Sequence, residues 1–280
     1  MPTNASMTLS EMAVDVLSTP NARLKTEKSL QHALRWQKRF ENNEQIAIGM
    51  APPPFQPARP ELPELVSPLD VPKRKPGTTE GRIALLHAVA HIELNAVDLH
   101  WDIIARFSDV AMPIGFYDDW VKAAAEESKH FNLVSDCLEK LDSYYGAIPA
   151  HAGMWRAAED TVEDLLARLA LVPMVLEARG LDVTPKMIEI FKRAKDTGAI
   201  EALKTIYAEE VGHVAYGAKW FNFLCGRNNQ DPKEVFHSLV RTYFTGALKP
   251  PFNEEKRANA GIPPDFYWPL ADELSVPAYI

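Results

Sequence analysis

The chain has 280 residues, 46% of them hydrophobic, enough for one sizeable core or two small ones. Its formal net charge of −8 argues against a general nucleic-acid binder. Two cysteines, Cys137 and Cys225, are too few for a disulfide framework, a zinc knuckle or an iron–sulfur cluster.

The first twenty residues have neither a basic start nor a continuous apolar core, so no secretory signal is expected there. Short helical patterns follow over residues 10–17 and 26–40. Residues 51–76 then hold nine of the 22 prolines, a density that excludes helix interior and predicts an extended path. Phe55, Leu62, Leu65, Val66 and Leu69 make this an ordered arm able to pack on helices. The short basic run Lys73-Arg74-Lys75 reads as solvated linker.

A long helix is predicted over 80–107, with a threonine of the pair Thr78-Thr79 as its cap. Pro113 and Gly115 mark the turn into a second helix over 116–141. Residues 142–153, with Gly146 and Pro149, form the longest break inside the helical region and suit a crossover. A third helix is predicted over 154–179 and ended by Gly180. Pro173 lies inside it and should kink or bulge it four residues before Glu177. Pro185 starts a short helix to 195, a fourth long helix covers 199–224, and another covers 232–244. The remainder, rich in proline and aromatics, reads as a second arm. The longest apolar run, 165–176, is interrupted by Arg168 and too short to span a bilayer, so a cytoplasmic protein is expected. The expected organisation is an amino-terminal region at 1–79, a helical bundle at 80–225 and a carboxy-terminal helix and arm at 226–280.

Three Glu-x-x-His tetrads occur: Glu127–His130, Glu210–His213 and Glu234–His237. With 22 glutamates and 8 histidines, about 0.6 would arise by chance, so the tetrad alone says little. Its surroundings decide. Glu127 shares its helix face with Trp120, Ala123, Ala124, Phe131, Val134 and Leu138, and Glu210 shares its face with Leu203, Ile206, Val214 and Phe221. Glu234 has Gln230, Asp231, Ser238 and Arg241 beside it, a solvated face.

Two lone glutamates, Glu93 and Glu177, interrupt apolar helix faces 34 and 33 residues before Glu127 and Glu210. Buried carboxylates are normally paired or bound to metal. Four carboxylates and two imidazoles on four helices are the ligand set of a dinuclear carboxylate-bridged centre. The expected metal ligands are Glu93, Glu127, His130, Glu177, Glu210 and His213. The adjacent Glu126 sits among lysines and reads as a surface residue; the i, i+3 spacing favours Glu210 over Glu209. Tyr207, Tyr216 and His100 are secondary candidates near the site, while His87 and His91 fall on other faces and read as structural.

With those residues in place, the chain resembles the ferritin-like superfamily of non-haem di-iron proteins. More closely, it is similar to a bacterial ferritin-like family catalogued as domain of unknown function 455. The likeness is carried by LLHAVAHIELNAVDL around Glu93, EESKHF around His130, LEARGLDVTP after Glu177 and EEVGHVAYGAKWF around His213. It extends to the arms, in PARPELPEL and PPFNEEKRANAGIPPDFY. The resemblance implies an all-α fold: a ferritin-like four-helix bundle with extra short helices and proline-rich amino- and carboxy-terminal arms.

It also implies two metal ions per chain, iron first, with manganese or a mixed pair as alternatives. The activity expected from the class is an O₂-dependent oxidation or hydroxylation of a small organic substrate. No Gly-x-Gly-x-x-Gly loop is present, so an external electron donor is expected. The partners are thus a small molecule, O₂ and a reductase, with no membrane and no nucleic acid; a homodimer is compatible with the sequence. Two other readings stay open: an iron-handling ferroxidase, and a helical scaffold or partner-binding module with a relict metal site.

Overall fold

The computed structural model describes residues 7–67, 70, 74–151, 153–246 and 248–274. Leu69 and Lys73, named above, lie outside the described residues. Among those described the chain is all-helical, with one isolated parallel bridge between Leu65 and Ala150. It divides into two compact units, Met1–Gly153 with Ala194–Ala202, and Met154–Arg193 with Leu203–Ile280.

The first unit opens with α1, Leu9–Leu17, whose Thr8 and Glu11 satisfy each other's backbone N–H in a capping box. Helix α2, Ala22–Gln37, is capped by Asn21. Helix α3, Thr79–Arg106, starts where the Thr78 hydroxyl accepts the Gly81 N–H at 3.1 Å, as the sequence suggests. Helix α4, Ile114–Glu139, follows Pro113 and packs along α3. In turn α1 packs on α3 and α2 on α4. Leu86, Val89, Ala90 and Val97 of α3 and Trp120, Phe131, Val134 and Leu138 of α4 are buried. Each large apolar side chain so buried contributes roughly 1.5–3 kcal/mol.

The proline-rich segment is tied to this unit at several points. The Ala58 N–H donates to Leu17 O at 2.7 Å, Lys25 Nζ donates to Ala58 O, and Arg106 reaches Pro54 O at 3.0 Å. At its far end Val66 N–H donates to Ala150 O and Ala150 N–H to Glu64 O. The extended chain is thus held by hydrogen bonds to helices and a loop.

The second unit departs from the expected single helix over 154–179. Helix α5, Gly153–Asp160, ends at Thr161, and α6, Leu165–Leu171, begins afresh with Asp164 accepting the Ala167 N–H. The fully buried Arg168 bridges the corner, donating to Thr161 Oγ1 at 2.8 Å and to Ala158 O at 2.7 Å. Its hydrogen bonds compensate a break that apolar periodicity does not reveal.

Pro173 produces the expected bulge as a π-helical turn, Val172–Glu177. Gly180 does not end the helix: α7 runs over Ala178–Ala194, through Gly180 and Pro185. Nothing lies within 4 Å of where a Gly180 Cβ would be, and its φ is not positive, so this glycine behaves as an ordinary helix residue. Pro185 deprives the Leu181 carbonyl of its helical donor, and Asn253 Nδ2 supplies one at 3.2 Å.

Most of α8, Thr197–Arg227, belongs to this unit, followed by α9, Pro232–Tyr243. The expected carboxy-terminal arm contains two short helices, α10, Glu254–Asn259, and α11, Pro264–Leu274. Buried Arg257 anchors it, donating to both carboxylate oxygens of Asp182 at 2.9 and 2.7 Å and lying against the rings of Phe252 and Tyr267.

Candidate metal centre

In the first unit, the 3.6-residue turn of α4 puts Glu127 and His130 on its inward face, toward Glu93 of α3. His130 Nδ1 lies 3.2 Å from Glu93 Oε2 and 3.3 Å from Glu127 Oε2. In the second unit, Glu177 closes the π-helical turn and meets Glu210 and His213 of α8. One ligand atom from each of these three lies within 4.8 Å of the others, and His213 Nδ1 is 3.8 Å from Glu210 Oε2. All six residues are buried, none more than 7% exposed.

The spacings of the first triad suit a cation. Two donor atoms each about 2.1 Å from one metal, at tetrahedral to octahedral angles, are roughly 3.0–3.4 Å apart. The two contacts of His130 fall in that range. The electrostatics agree, since burial, with the charge of Glu127 adding to it, pushes Glu93 up to about 8. Burial thus favours the protonated form of Glu93, and a metal ion would have to displace that proton. Two buried Glu/Glu/His groups that can hold a metal ion are what the chain presents.

The neighbouring acids behave differently. Glu126 is half-buried, 3.9 Å from Lys122, and Glu209 is likewise half-buried. In the third tetrad Glu234 is exposed, and His237 Nε2 faces the carbonyls of Asp265 and Phe266 at 3.1 and 3.0 Å. Tyr207 accepts a hydrogen bond from Asn253 Nδ2 at 2.6 Å, which turns it toward the carboxy-terminal segment. His100 is buried against Trp120, with ring centroids 5.2 Å apart. His87 accepts the Gly146 N–H, and His91 sits between the Tyr145 hydroxyl and the His151 carbonyl.

Sequence reasoning missed the buried Lys25–Asp98 ion pair and the cavity beside it. Asp98 between Val97 and Leu99 of α3 was a signal; Lys25, on a polar helix, gave none.

A family model described as "Protein of unknown function (DUF455)" matches residues 18–268. The chain belongs to this family. A relative from Haemophilus influenzae, described as "Uncharacterized protein", is 41% identical over 229 residues, 80% of each chain. No solved structure matches. The family match spans all six acidic and imidazole residues of the two triads. No helix among the described residues is long and apolar enough to cross a membrane.

Proposed function

We propose that the two triads act together as one dinuclear centre in a ferritin-like four-helix bundle, and that the protein is an O₂-dependent oxidoreductase acting on a small organic substrate. The observation that carries this reading is the repetition of one buried Glu/Glu/His set, Glu93 with Glu127 and His130, and Glu177 with Glu210 and His213. A structural cluster would need no second copy of the same donors at matching sequence spacing. Iron is the first candidate, and mixed imidazole–carboxylate donors admit manganese as well.

Two divalent ions carry +4, which four ionised glutamates cancel, so the loaded centre would be neutral in its apolar surroundings. His130 Nδ1 faces the carboxylates and is the nitrogen to hold metal. Glu93, whose protonated form burial favours, would have to give up a proton to a cation, so loading would weaken in acid. The burial of every ligand excludes bulk water from the donor atoms. A reduced pair, when bound, supplies electrons to O₂ and oxidising power for a neighbouring substrate. The chain offers no dinucleotide loop, so a separate reductase would supply the electrons.

The test is anaerobic loading with ferrous iron, a count of iron per chain, and O₂ uptake after excess iron is removed. Two irons per chain and O₂ consumption sustained by an added reductant are expected. Uptake that merely matches added ferrous ion, with assembly into cages on size exclusion, would replace this reading by iron handling.

A further inference from the structure

Within the first unit, the outer face of α3 and the loop at 148–151 enclose a pocket of about 130 Å³. Ala88 and Ile92, one helical turn apart and both exposed, form one side, and Ile148 with Pro149 forms the other. Ile92 is 45% exposed where its neighbour Glu93 is 3%, so the pocket opens on a side of α3 turned away from the first triad. Histidines and an arginine supply its polar edge. They are no metal cluster: among the described residues, only the two triads gather such ligand atoms within 4.8 Å.

The backbone fixes where the ring protons sit. The Gly146 N–H donates to His87 Nε2 at 2.9 Å, so in the neutral ring Nδ1 carries the proton. The Gly153 N–H donates to His151 Nδ1 at 3.2 Å, so there Nε2 carries it. Neither proton has an acceptor among the described residues. His91 is spent on both sides: Nε2 donates to His151 O and Nδ1 accepts from the Tyr145 hydroxyl, each at 2.9 Å. Arg74 adds guanidinium donors and a positive charge. No acidic residue lines the pocket among the described residues. Glu80, which feels the field of Arg74, lies outside the lining and is occupied by its own backbone N–H and the Thr78 hydroxyl. The side-chain atoms left to the pocket are donors only.

We propose that this pocket binds a small carboxylate with a short aliphatic tail. His87 Nδ1–H and His151 Nε2–H donate to its oxygens beside the Arg74 charge, and the tail lies among Ala88, Ile92, Ile148 and Pro149. Donors without acceptors, next to a positive charge, select an anion. The four apolar side chains select a tail, since a bare inorganic ion would leave them facing water. The volume is the share of about four water molecules, which admits a chain of a few carbons and excludes a drug-sized ligand. His87 is buried, and a buried donor left unpaired is costly; a carboxylate removes that cost. The proposal is independent of metal at the glutamate–histidine triads.

The experiment is calorimetric titration of the full-length protein with butyrate and with three probes that each lose one feature. Butyramide lacks the charge, acetate lacks the tail, and inorganic phosphate keeps charge on a body without apolar surface. Saturable millimolar binding of butyrate is expected. The other three should bind about tenfold or more weakly, the scale of one charged hydrogen bond or of two buried methylenes. In NMR spectra of protein carrying isotope-labelled histidine, His87 Nδ1 and His151 Nε2 should shift along the same saturation curve. Ala88→Leu, at an exposed helical position, should fill the pocket and abolish binding with the melting temperature unchanged. Arg74→Gln should weaken butyrate and leave butyramide as it was. Lack of saturable butyrate binding overturns the proposal, as does equal binding of any control probe or binding that survives Ala88→Leu. The histidine shifts decide if Ala88→Leu fails to fold: butyrate that moves neither ring is bound elsewhere, and the proposal falls.

Discussion

Gly217 of α8 lies against Pro173 of the π-helical turn so closely that a Cβ built on the glycine would stand 2.4 Å from Pro173 Cγ and 2.5 Å from its Cβ. Gly217 is one helical turn beyond His213, and Pro173 one turn before Glu177. The absence of a side chain lets the two ligand-bearing segments of the second unit approach. A proline ring cannot swing aside as a long side chain can.

Gly217→Ala should therefore destabilise the protein by about 1–3 kcal/mol despite alanine's better helix propensity, and should lower metal uptake as well. Gly180→Ala, where a methyl meets nothing within 4 Å, should stabilise by roughly 0.5–1 kcal/mol. Thermal melts and metal analysis of the two variants give the comparison. Identical behaviour would mean that the contact with Pro173 has no consequence.

The exposed tetrad provides an internal control for metal binding. His130→Ala and His213→Ala should each lower bound iron sharply, whereas His237→Ala should leave it unchanged, because His237 faces carbonyls beside an exposed Glu234. Elemental analysis after loading reads the difference. Equal losses in all three would show that the buried triads are not the metal ligands.

The Arg257–Asp182 pair should behave as a buried ion pair does. Arg257→Ala leaves the buried Asp182 carboxylate with only the Asn253 N–H and the longer, 3.4 Å contact of Arg179, and should cost about 3 kcal/mol. Replacing both by leucine should cost markedly less than the single change, since no charge is then stranded. Urea denaturation of the single and double variants measures the coupling. A double variant as unstable as the sum of its singles would count against it.

Acid sensitivity should trace in part to His87. Its Nε2 accepts the Gly146 N–H at 2.9 Å, its ring stacks on Tyr145, and burial, with the charge of His91 adding, pushes it down to about 4. In the unfolded chain the ordinary value is about 6.5. Between these values the unfolded state binds a proton that the folded state refuses, so stability falls as pH drops through the window. Above the unfolded value the contribution is fully present. The loss approaches the order of 3 kcal/mol at its lower end. His87→Gln, which keeps an acceptor for Gly146, should flatten the fall in urea midpoint between about pH 7 and about pH 5. An unchanged slope would assign the sensitivity to other groups.

Much of the helical pattern was legible because the signals were local. Thr78 caps α3, Pro113 opens α4, Pro173 bulges its helix, and the apolar faces around Glu93, Glu127, Glu177 and Glu210 are buried as their periodicity implies. Solvated neighbours set apart the tetrad at Glu234. What escaped depends on partners distant in sequence. Gly180 and Pro185 resemble helix ends, yet α7 continues because its side of Gly180 is open and Asn253 serves the carbonyl that Pro185 abandons. The corner between α5 and α6 depends on Arg168 turning inward, against the usual preference of arginine for solvent. Lys25 lies on a largely polar helix and is buried only because Asp98 waits for it 73 residues later.

Asn253 commits three side-chain hydrogen bonds in one place. Its two amide protons go to Leu181 O and the Tyr207 hydroxyl, and its oxygen receives the Lys256 N–H at the start of α10. The proline and the asparagine thus form a structural pair, one leaving the Leu181 carbonyl without its helical donor and the other serving it. In chains of this family, those that keep proline at the position of Pro185 are expected to keep a donor at that of Asn253, while those that restore a helical N–H there are free to let it drift. Sequence divergence should record the repair of one missing hydrogen bond as a correlation across 68 positions.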